Sequence, residues 1–186
     1  MSTTSTTPST VSTWKLDPVH SVVEFKVKHM MISNVKGQFT GVNGVLRLDE
    51  NDPAKSHVEA TIDAATINTR DAQRDTHLKS ADFLDVENYP TLSFTSKSVK
   101  RTGADKGTVI GDLTIHGSTR EVTLQVEGPT PPNKDPWGNT RLGLSSTTKI
   151  SRKEFGLTWN AALETGGLLV GDEVAITLDV QFVKAN

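Results

Sequence analysis

The sequence predicts an all-β protein of about eight antiparallel strands, interrupted by one short helix at about residues 70–80. Apolar and polar side chains alternate with a period of two along most of the chain, which is typical of strands with one buried face. The segments between these stretches are short and rich in turn residues. One stretch lacks the period-two pattern and carries the signals of a helix start. These observations place the chain in the all-β class with a helical insertion.

The clearest strands lie near the two ends of the sequence. In the first, Val23, Phe25 and Val27 alternate with charged residues, and in the last, residues 173–182, apolar residues occupy every second position. Weaker alternation predicts further strands at Val35–Leu48, Val58–Ile67, Thr91–Val99, Thr108–Ile115, Glu121–Glu127 and Thr140–Ile150. Connections of a few residues favour antiparallel hairpins over parallel crossovers. Eight such strands form either a two-sheet sandwich or a closed barrel, and the alternation fits both.

The predicted helix lies in the segment NTRDAQRDTHLKSADFLDVENYP, residues 68–90. Asn68 suits the N-cap, and Asp71 suits the first turn, where a carboxylate interacts favourably with the helix dipole. Ion pairing within the helix accounts for its arginines and aspartates. Tyr89-Pro90 ends the segment, because the residue before a proline avoids helical geometry. We therefore expect a short, polar helix between two strands.

Composition narrows the organisation of the chain and its surroundings. Residues 1–13 form a Ser/Thr-rich tail that we predict to be disordered, and residues 14–186 suit a single domain. The tail lacks the basic start and apolar core of a signal peptide, and no apolar run approaches the roughly 20 residues of a membrane-spanning helix. We therefore expect a soluble, cytoplasmic protein. The lack of cysteine removes disulfides and thiolate chemistry.

Charge and residue spacing argue against several classes of function. A net charge of −2 gives no electrostatic footprint for binding nucleic acid. The five histidines show no HExxH-type spacing, so we expect no metal site. No serine lies in a nucleophile motif, and we assign no catalytic residues. The residues taken alone thus provide no convincing catalytic constellation.

Four motifs follow one another in an order that is much more specific than any one of them. They are WKLDPVHSVVEFKVKHMMISNVKGQFTGVNGVL, TRDAQRDTHLKSADFLDVENYPTLSF, GDLTIHGSTREVTLQV and SRKEFGLTWNAALETGGLLVGDEVAITLDVQ. The first has a Trp-x-x-Asp-x-x-His-Ser start, and the second has an Arg-Asp-x-His-Leu block followed by Asp-Phe and Tyr-Pro. In these features the chain resembles the YceI-like family over residues 14–183.

The resemblance implies a lipocalin-like, extended eight-stranded antiparallel barrel with a helix near one end. It also implies an elongated apolar cavity that holds a long-chain amphiphilic lipid, such as a polyisoprenoid, an isoprenoid quinone or a fatty-acid-like molecule. Such proteins bind and transport or store lipids and are not treated as enzymes. The expected partner is therefore the lipid itself, a polyprenyl chain or a quinone, and no other cofactor. An isologous homodimer is compatible with an extended barrel.

Hydrophobic alternation then predicts which side chains face the cavity. The predicted lining residues are Val23, Phe25, Val27, Phe39, Leu92, Phe94, Leu113, Ile115 and Phe155. In the helical segment, Leu78, Phe83 and Leu84 are expected to turn inward and help to close the cavity. Arg74 and His77 are expected near the mouth, where they could contact a polar or phosphorylated head group.

Two other functions remain compatible with the sequence. A lipid-modifying enzyme would use Asp75 and His77 as acid–base partners. A stress-response interaction module would have a barrel filled by its own side chains and would contact other proteins. A barrel without a cavity would favour the second of these.

Overall fold

The structure, a computed structural model, describes residues 10–186 and contains twelve strands, one α-helix and four 3-10 helices in that range. The strands are β1 (Val11–Leu16), β2 (Val22–His29), β3 (Ser33–Phe39), β4 (Val42–Asp49), β5 (His57–Asp63), β6 (Ile67–Asn68), β7 (Thr91–Arg101), β8 (Lys106–Ile115), β9 (Ser118–Glu127), β10 (Asn133–Lys134), β11 (Thr140–Ser151) and β12 (Val170–Lys184). The helix α1 spans Ala72–Lys79, and the 3-10 helices span Pro18–His20, Pro53–Lys55, Ala64–Thr66 and Arg152–Phe155. The two-residue strands β6 and β10 only extend the sheet beside β3 and β11.

Eight long strands close the barrel, because two pairs of consecutive strands each act as one bent strand. β1 continues into β2 across a 3-10 turn, and β3 continues into β4 across a two-residue bend. The two bent strands pair with each other from His29 opposite Ser33 to Val11 opposite Asp49. β5, β7, β8, β9 and β11 follow in antiparallel order, and β12 closes the ring by pairing with β11, β1 and β2. The predicted eight-stranded antiparallel barrel is confirmed, and the sandwich is excluded.

The first strand begins earlier than the sequence suggested. β1 starts at Val11, inside the stretch predicted as a disordered tail, and Val11 and Thr13 pair with Asp49 and Arg47 on β4. β-branched side chains favour strands even in a Ser/Thr-rich context, so low hydrophobicity concealed this strand. Residues 1–9, the remainder of the predicted tail, lie outside the described residues.

The helix α1 is shorter than predicted and has a different N-cap. Oδ1 of Asp71 accepts the backbone N–H of Arg74 at 2.9 Å, which makes Asp71 the N-cap. Asn68 instead accepts the backbone N–H of Arg70 at 2.9 Å, and Arg70 has a φ of 65°, so the chain turns before the helix starts. The predicted ion pairing within the helix is wrong, because residues four apart carry like charges and Arg74 donates to Thr69 instead.

The barrel has two different ends. The helix end contains α1, the β2–β3 turn at residues 30–32 and the β8–β9 turn. The terminal end contains the start of β1, the end of β12 and the β7–β8 turn. Trp14, fully buried, belongs to a core cluster towards the terminal end, and Phe155, also fully buried, belongs to a larger cluster towards the helix end. Within residues 10–186, no helix has the length and apolar character needed to cross a membrane.

Candidate functional site

An apolar cavity of about 740 Å³ runs inside the barrel, with lining residues at both the helix end and the terminal end. This volume lies within the roughly 300–1,000 Å³ of small-molecule binding sites. The wall consists of inward strand positions, because successive side chains of a strand point to opposite faces. On β12 these positions are Val174, Ile176, Leu178, Val180 and Phe182. The barrel is therefore not filled by its own side chains.

Eight of the nine predicted lining residues lie on this wall. They are Val23, Phe25, Val27, Phe39, Leu92, Phe94, Leu113 and Ile115. Phe155 is placed differently: it ends the 3-10 helix Arg152–Phe155 and packs into the core cluster at the helix end. The sequence-based selection also missed the inward residues of β12, although their alternation is as regular as that of β2. The residues that line the cavity thus alternate along strands, and Phe155, the one predicted residue that does not line it, lies outside the strands.

Small residues keep the lumen open beside large aromatic ones. Phe25 pairs with Gly37 on β3, and a methyl group at Gly37 would overlap the Phe25 ring. Likewise, a methyl group at Gly111 on β8 would overlap the ring of Phe94 on β7. Each ring therefore lies over a neighbouring glycine along the wall, where a side chain would otherwise stand. This placement leaves the centre of the barrel unoccupied.

Three rings close together line the cavity at the helix end. The ring centroid of His77 lies 5.1 Å from that of Phe83 and 4.7 Å from that of Trp159, both edge to face, and Phe83 lies 5.3 Å from Trp159. Nε2 of His77 is 2.8 Å from Oδ2 of Asp82, which fixes the imidazole orientation. Leu78 and Leu84 complete this part of the wall, as expected from the sequence. The helical segment therefore lines the helix end of the cavity.

Arg74 lines the cavity on the same side of α1 as His77, since residues three apart are neighbours on a helix. Its Nε donates to Oγ1 of Thr69 and its Nη2 donates to the Thr69 carbonyl, both at 2.8 Å. Asp75 accepts hydrogen bonds from the backbone N–H and the hydroxyl of Thr69. Among the described residues, Nη1 of Arg74 has no hydrogen-bond partner. Two hydrogen bonds to Thr69 thus hold the Arg74 guanidinium in place, and its Nη1 remains available to donate to a ligand.

Asp75 and His77, the two residues considered for acid–base chemistry, are not hydrogen-bonded to each other. Asp75 is bound to Thr69 and His77 to Asp82, and no hydrogen bond joins the two side chains. Within residues 10–186, no three His, Asp or Glu side chains converge as a metal site would require. The Asp75 and His77 side chains are instead bound to partners in the same segment, Thr69 and Asp82.

Comparison with known proteins assigns the family. The model of the YceI-like domain matches residues 14–182. The chain belongs to the YceI-like family. A UPF0312 protein of Staphylococcus aureus is 36% identical over 173 residues, which are 92% of this chain and 98% of that protein.

Several solved structures share the barrel. The Campylobacter jejuni YceI protein is 30% identical, with a TM-score of 0.71 over 87% of this chain and 91% of that one. BcnA of Burkholderia cenocepacia, at 24% identity, has a TM-score of 0.76 over 89% of this chain and 98% of that one. A polyisoprenoid binding domain from Saccharophagus degradans, at 15% identity, has a TM-score of 0.66 over 92% and 98%. The last two show likeness of fold alone.

A buried arginine fastens the loop that completes the helix end of this YceI-like barrel. Arg152, 3% exposed, donates to the carbonyl oxygens of Leu157, Trp159, Val170 and Gly171 at 2.6–3.2 Å. Burial lowers its pKa, and the nearby Asp172 carboxylate opposes that effect. Arg152 thereby holds Trp159 against the cavity. Nothing in the sequence pattern distinguishes this arginine from surface ones.

A second arginine links the β1–β2 bend to β11 outside the lumen. Nη1 of Arg141 lies 2.6 Å from Oδ2 of Asp17, and its Nε lies 2.7 Å from Oδ2 of Asp135. Hydrogen bonding to Arg141 is the main reason why the pKa of Asp17 and that of Asp135 are each lowered to about 2. His20 also contacts Asp17, at 2.8 Å. This network stabilises the terminal half of the barrel.

A Ser–His–Glu chain near the terminal end was not anticipated from the sequence. Oγ of Ser96 lies 2.9 Å from Nδ1 of His57, and Nε2 of His57 lies 3.0 Å from Oε1 of Glu59. Ser96 sits beside a β-bulge in β7, where its Oγ also accepts the backbone N–H of Val58 at 2.9 Å. Ser96 is 6% exposed and does not line the cavity. It satisfies a backbone donor at the bulge and is not presented to a ligand.

Proposed function

We propose that this protein binds a long-chain amphiphilic lipid in its barrel and transports or stores it. The observation that carries the proposal is the unfilled apolar lumen of about 740 Å³ in a barrel of eight strands. Barrels of this strand number are just wide enough to be filled by side chains or to hold one slender ligand. This chain places small residues beside its large aromatic ones, which favours the second arrangement.

The energetics of an apolar wall suit a hydrocarbon tail. Each methylene group removed from water contributes about 0.8 kcal/mol. About ten buried methylenes thus contribute about 8 kcal/mol, which corresponds to a micromolar dissociation constant before the costs of binding. Longer tails offset those costs. A tail of this kind needs neither a catalytic group nor a strong polar anchor inside the lumen.

The helix end is the better place for the head group. Arg74 there offers the unbonded Nη1, and a guanidinium forms strong charge-assisted hydrogen bonds with carboxylate or phosphate oxygens. The rings of His77, Phe83 and Trp159 enclose the adjoining part of the tail. The ligand classes that fit are a polyisoprenoid, an isoprenoid quinone or a fatty-acid-like molecule. The polyisoprenoid binding domain among the structural neighbours supports the first of these.

The proposal is tested by native mass spectrometry of the purified protein, followed by organic extraction and identification of what is released. We expect one long-chain amphiphile per barrel, and the same spectra report whether the protein is a monomer or the homodimer considered above. An empty protein that also ignores added polyprenyl lipids, quinones and fatty acids would overturn the proposal.

Paired variants on β2 locate the ligand. Phe25→Asp places an unpaired carboxylate on the cavity wall, so we expect the folded variant to lose bound lipid. Lys26→Asp makes the equivalent change one residue later on the exposed face, and lipid loaded from detergent micelles should be retained. Circular dichroism confirms that both variants fold. Unchanged lipid in folded Phe25→Asp would show that the ligand lies elsewhere.

A further inference from the structure

The β2–β3 turn presents three consecutive large apolar residues to solvent. Met30 is 39% exposed, Met31 66% and Ile32 78%. The turn is tight, with the Ile32 backbone N–H donating to the His29 carbonyl at 3.0 Å. Met30 has a φ of 52° and Met31 a φ of 59°. Hairpin turns with positive φ at two consecutive positions favour Asn-Gly. Methionine disfavours this left-handed region.

The two methionines adopt an unfavourable backbone conformation, and burial of the side chains at this turn does not offset its cost. The side chains of Met31 and Ile32 point away from the barrel, and Leu168, 44% exposed, lies in the neighbouring loop. That loop is fixed beside the turn, because the Met30 backbone N–H donates to the Leu169 carbonyl at 2.8 Å. Met30–Ile32 and Leu168 together form what we call the apolar tip. Departures from local rules that persist in a stable fold cluster at functional sites.

Three lysines lie on the two strands that the apolar tip connects. Lys26 and Lys28 on β2 and Lys36 on β3 are all exposed, and none forms an ion pair with another described residue. Lys26 lies directly opposite Lys36, an arrangement of like charges that destabilises a strand pair. The exposed acids nearby are Glu24, one pair further from the tip than Lys26, Glu164 in the adjoining loop, and Glu173 on β12, which already pairs with Lys149.

We propose that the apolar tip inserts into the surface of an anionic lipid bilayer, with the three lysines on the lipid head groups. Exposed apolar side chains backed by lysines are the combination by which peripheral proteins bind such surfaces. A second copy of this chain fits the same surface poorly, because a symmetric contact at the tip would bring the lysines of both copies together. Charge complementarity therefore selects the bilayer.

The apolar tip lies next to the cavity, and under the proposed function this position would bring the cavity close to the bilayer. His29, directly before the turn, and Leu169 and Val170, beside it, are among the cavity-lining residues. Insertion of the tip would place the helix end of the lumen against the bilayer, so that a lipid tail could pass between them with little exposure to water. This route rests on the proposed lipid binding, whereas adsorption of the tip itself does not.

Flotation of the full-length protein with vesicles tests the inference. We expect binding to vesicles of phosphatidylglycerol and phosphatidylcholine and much weaker binding to phosphatidylcholine alone, with a steep loss at high salt. The double variant Met30→Asn/Met31→Gly supplies the residues that this turn favours. It should unfold at the same or a higher temperature than the wild type while losing vesicle binding. Trp137→Ser removes an 81% exposed apolar residue from another turn and should bind like the wild type.

A charge variant separates the two contributions. Lys26→Gln/Lys36→Gln removes two cations and keeps the apolar tip, so binding to the anionic vesicles should fall by about tenfold or more. Wild-type protein that does not float with anionic vesicles, or a Met30→Asn/Met31→Gly variant that floats equally well, would overturn the inference. So would analytical ultracentrifugation showing that the tip variant changes a dimer into a monomer.

Loading of lipid from detergent micelles distinguishes failure of the tip from failure of the proposed function. The Met30→Asn/Met31→Gly variant should take up micellar lipid as the wild type does, because its cavity wall is unchanged. If the wild type binds vesicles but neither the wild type nor the variant takes up micellar lipid, the role of the tip is supported and the lipid-binding proposal is refuted. Uptake without vesicle binding would do the reverse.

Discussion

Obstructing the lumen at its centre gives the most direct test of where the ligand lies. Ala60 on β5 lines the cavity and pairs with Gly44 on β4 and Phe94 on β7. The inward face is thus small on one side of Ala60, which leaves room for a larger ring. Ala60→Trp would project an indole across the middle of the lumen without displacing a packed side chain.

The size of the effect follows from the area that the indole covers. A buried tryptophan covers about 150–250 Å² of surface, and apolar contact contributes about 25 cal/mol per Å². Loss of an equal area of tail contact therefore weakens binding by up to about 4–6 kcal/mol. A tail can recover part of this by shifting along the lumen. We expect binding at least about a hundredfold weaker, since each 1.4 kcal/mol corresponds to a factor of ten.

Fluorescence titration with a polyprenyl or fatty-acyl probe measures the affinity, and thermal unfolding measures the stability. The melting temperature of Ala60→Trp should be unchanged or raised, because the indole buries itself in unoccupied space. Thr61→Trp is the matched control: it adds the same group at the next residue on the exposed face and should bind lipid normally. A folded Ala60→Trp protein with wild-type affinity would refute the reasoning that the tail occupies the lumen.

Two further substitutions test the wall and the outer ion pairs. Gly37→Ala should push the Phe25 ring into the lumen and weaken lipid binding about tenfold in the same titration. The overpacking should also lower the free energy of unfolding by about 1–3 kcal/mol. Gly103→Ala, in an open turn, should have neither effect. Arg141→Met should lower the melting temperature at neutral pH, because its two carboxylate partners lose the contact that holds their pKa at about 2. Those carboxylates stabilise the fold above their ordinary pKa of 3.8 and lose this effect as the pH falls to about 2, so wild type and variant should converge over that interval; a constant difference would contradict the role of Arg141.

The strand count and the inward face were accessible from the sequence because both follow from local periodicity. Alternation along a strand fixes which residues share a face, and eight alternating stretches corresponded to the eight strands of the ring. Val23, Phe25 and Val27 were placed on the wall by this rule alone. The rule does not extend to segments outside strands, which is why Phe155, in a 3-10 helix, was wrongly assigned to the wall.

Features that depend on contacts between distant segments were not accessible in the same way. Arg152 is recognisable as buried only when carbonyl groups of the loop that follows it and of the start of β12 surround its guanidinium. The N-cap of α1 moved from Asn68 to Asp71 because Arg70 adopts a positive φ, which its residue type does not predict. The β1 strand within the Ser/Thr-rich segment depends on a partner strand, β4, that begins about thirty residues later.

Hydrophobic periodicity also does not predict whether the barrel is hollow. Hydrophobic alternation is the same for a filled barrel and an empty one, because it identifies the inward face and not the volume on that face. The volume depends on small residues at inward positions, Gly37, Gly44, Ala60 and Gly111, beside the Phe25 and Phe94 rings that lie along the wall. Each small residue forgoes burial that a larger one would provide, so the hollow lumen lowers the stability of the empty protein.

The Met30-Met31 turn lowers that stability too, because each methionine occupies a backbone region that favours glycine or asparagine. The turn and the lumen meet at the helix end, where His29 and Val170 line the cavity directly beside the exposed tip. Independent defects would have no reason to adjoin each other. A bilayer contact that leads into a lipid-sized lumen accounts for both departures together, since the tip would be covered by the membrane and the lumen by the tail.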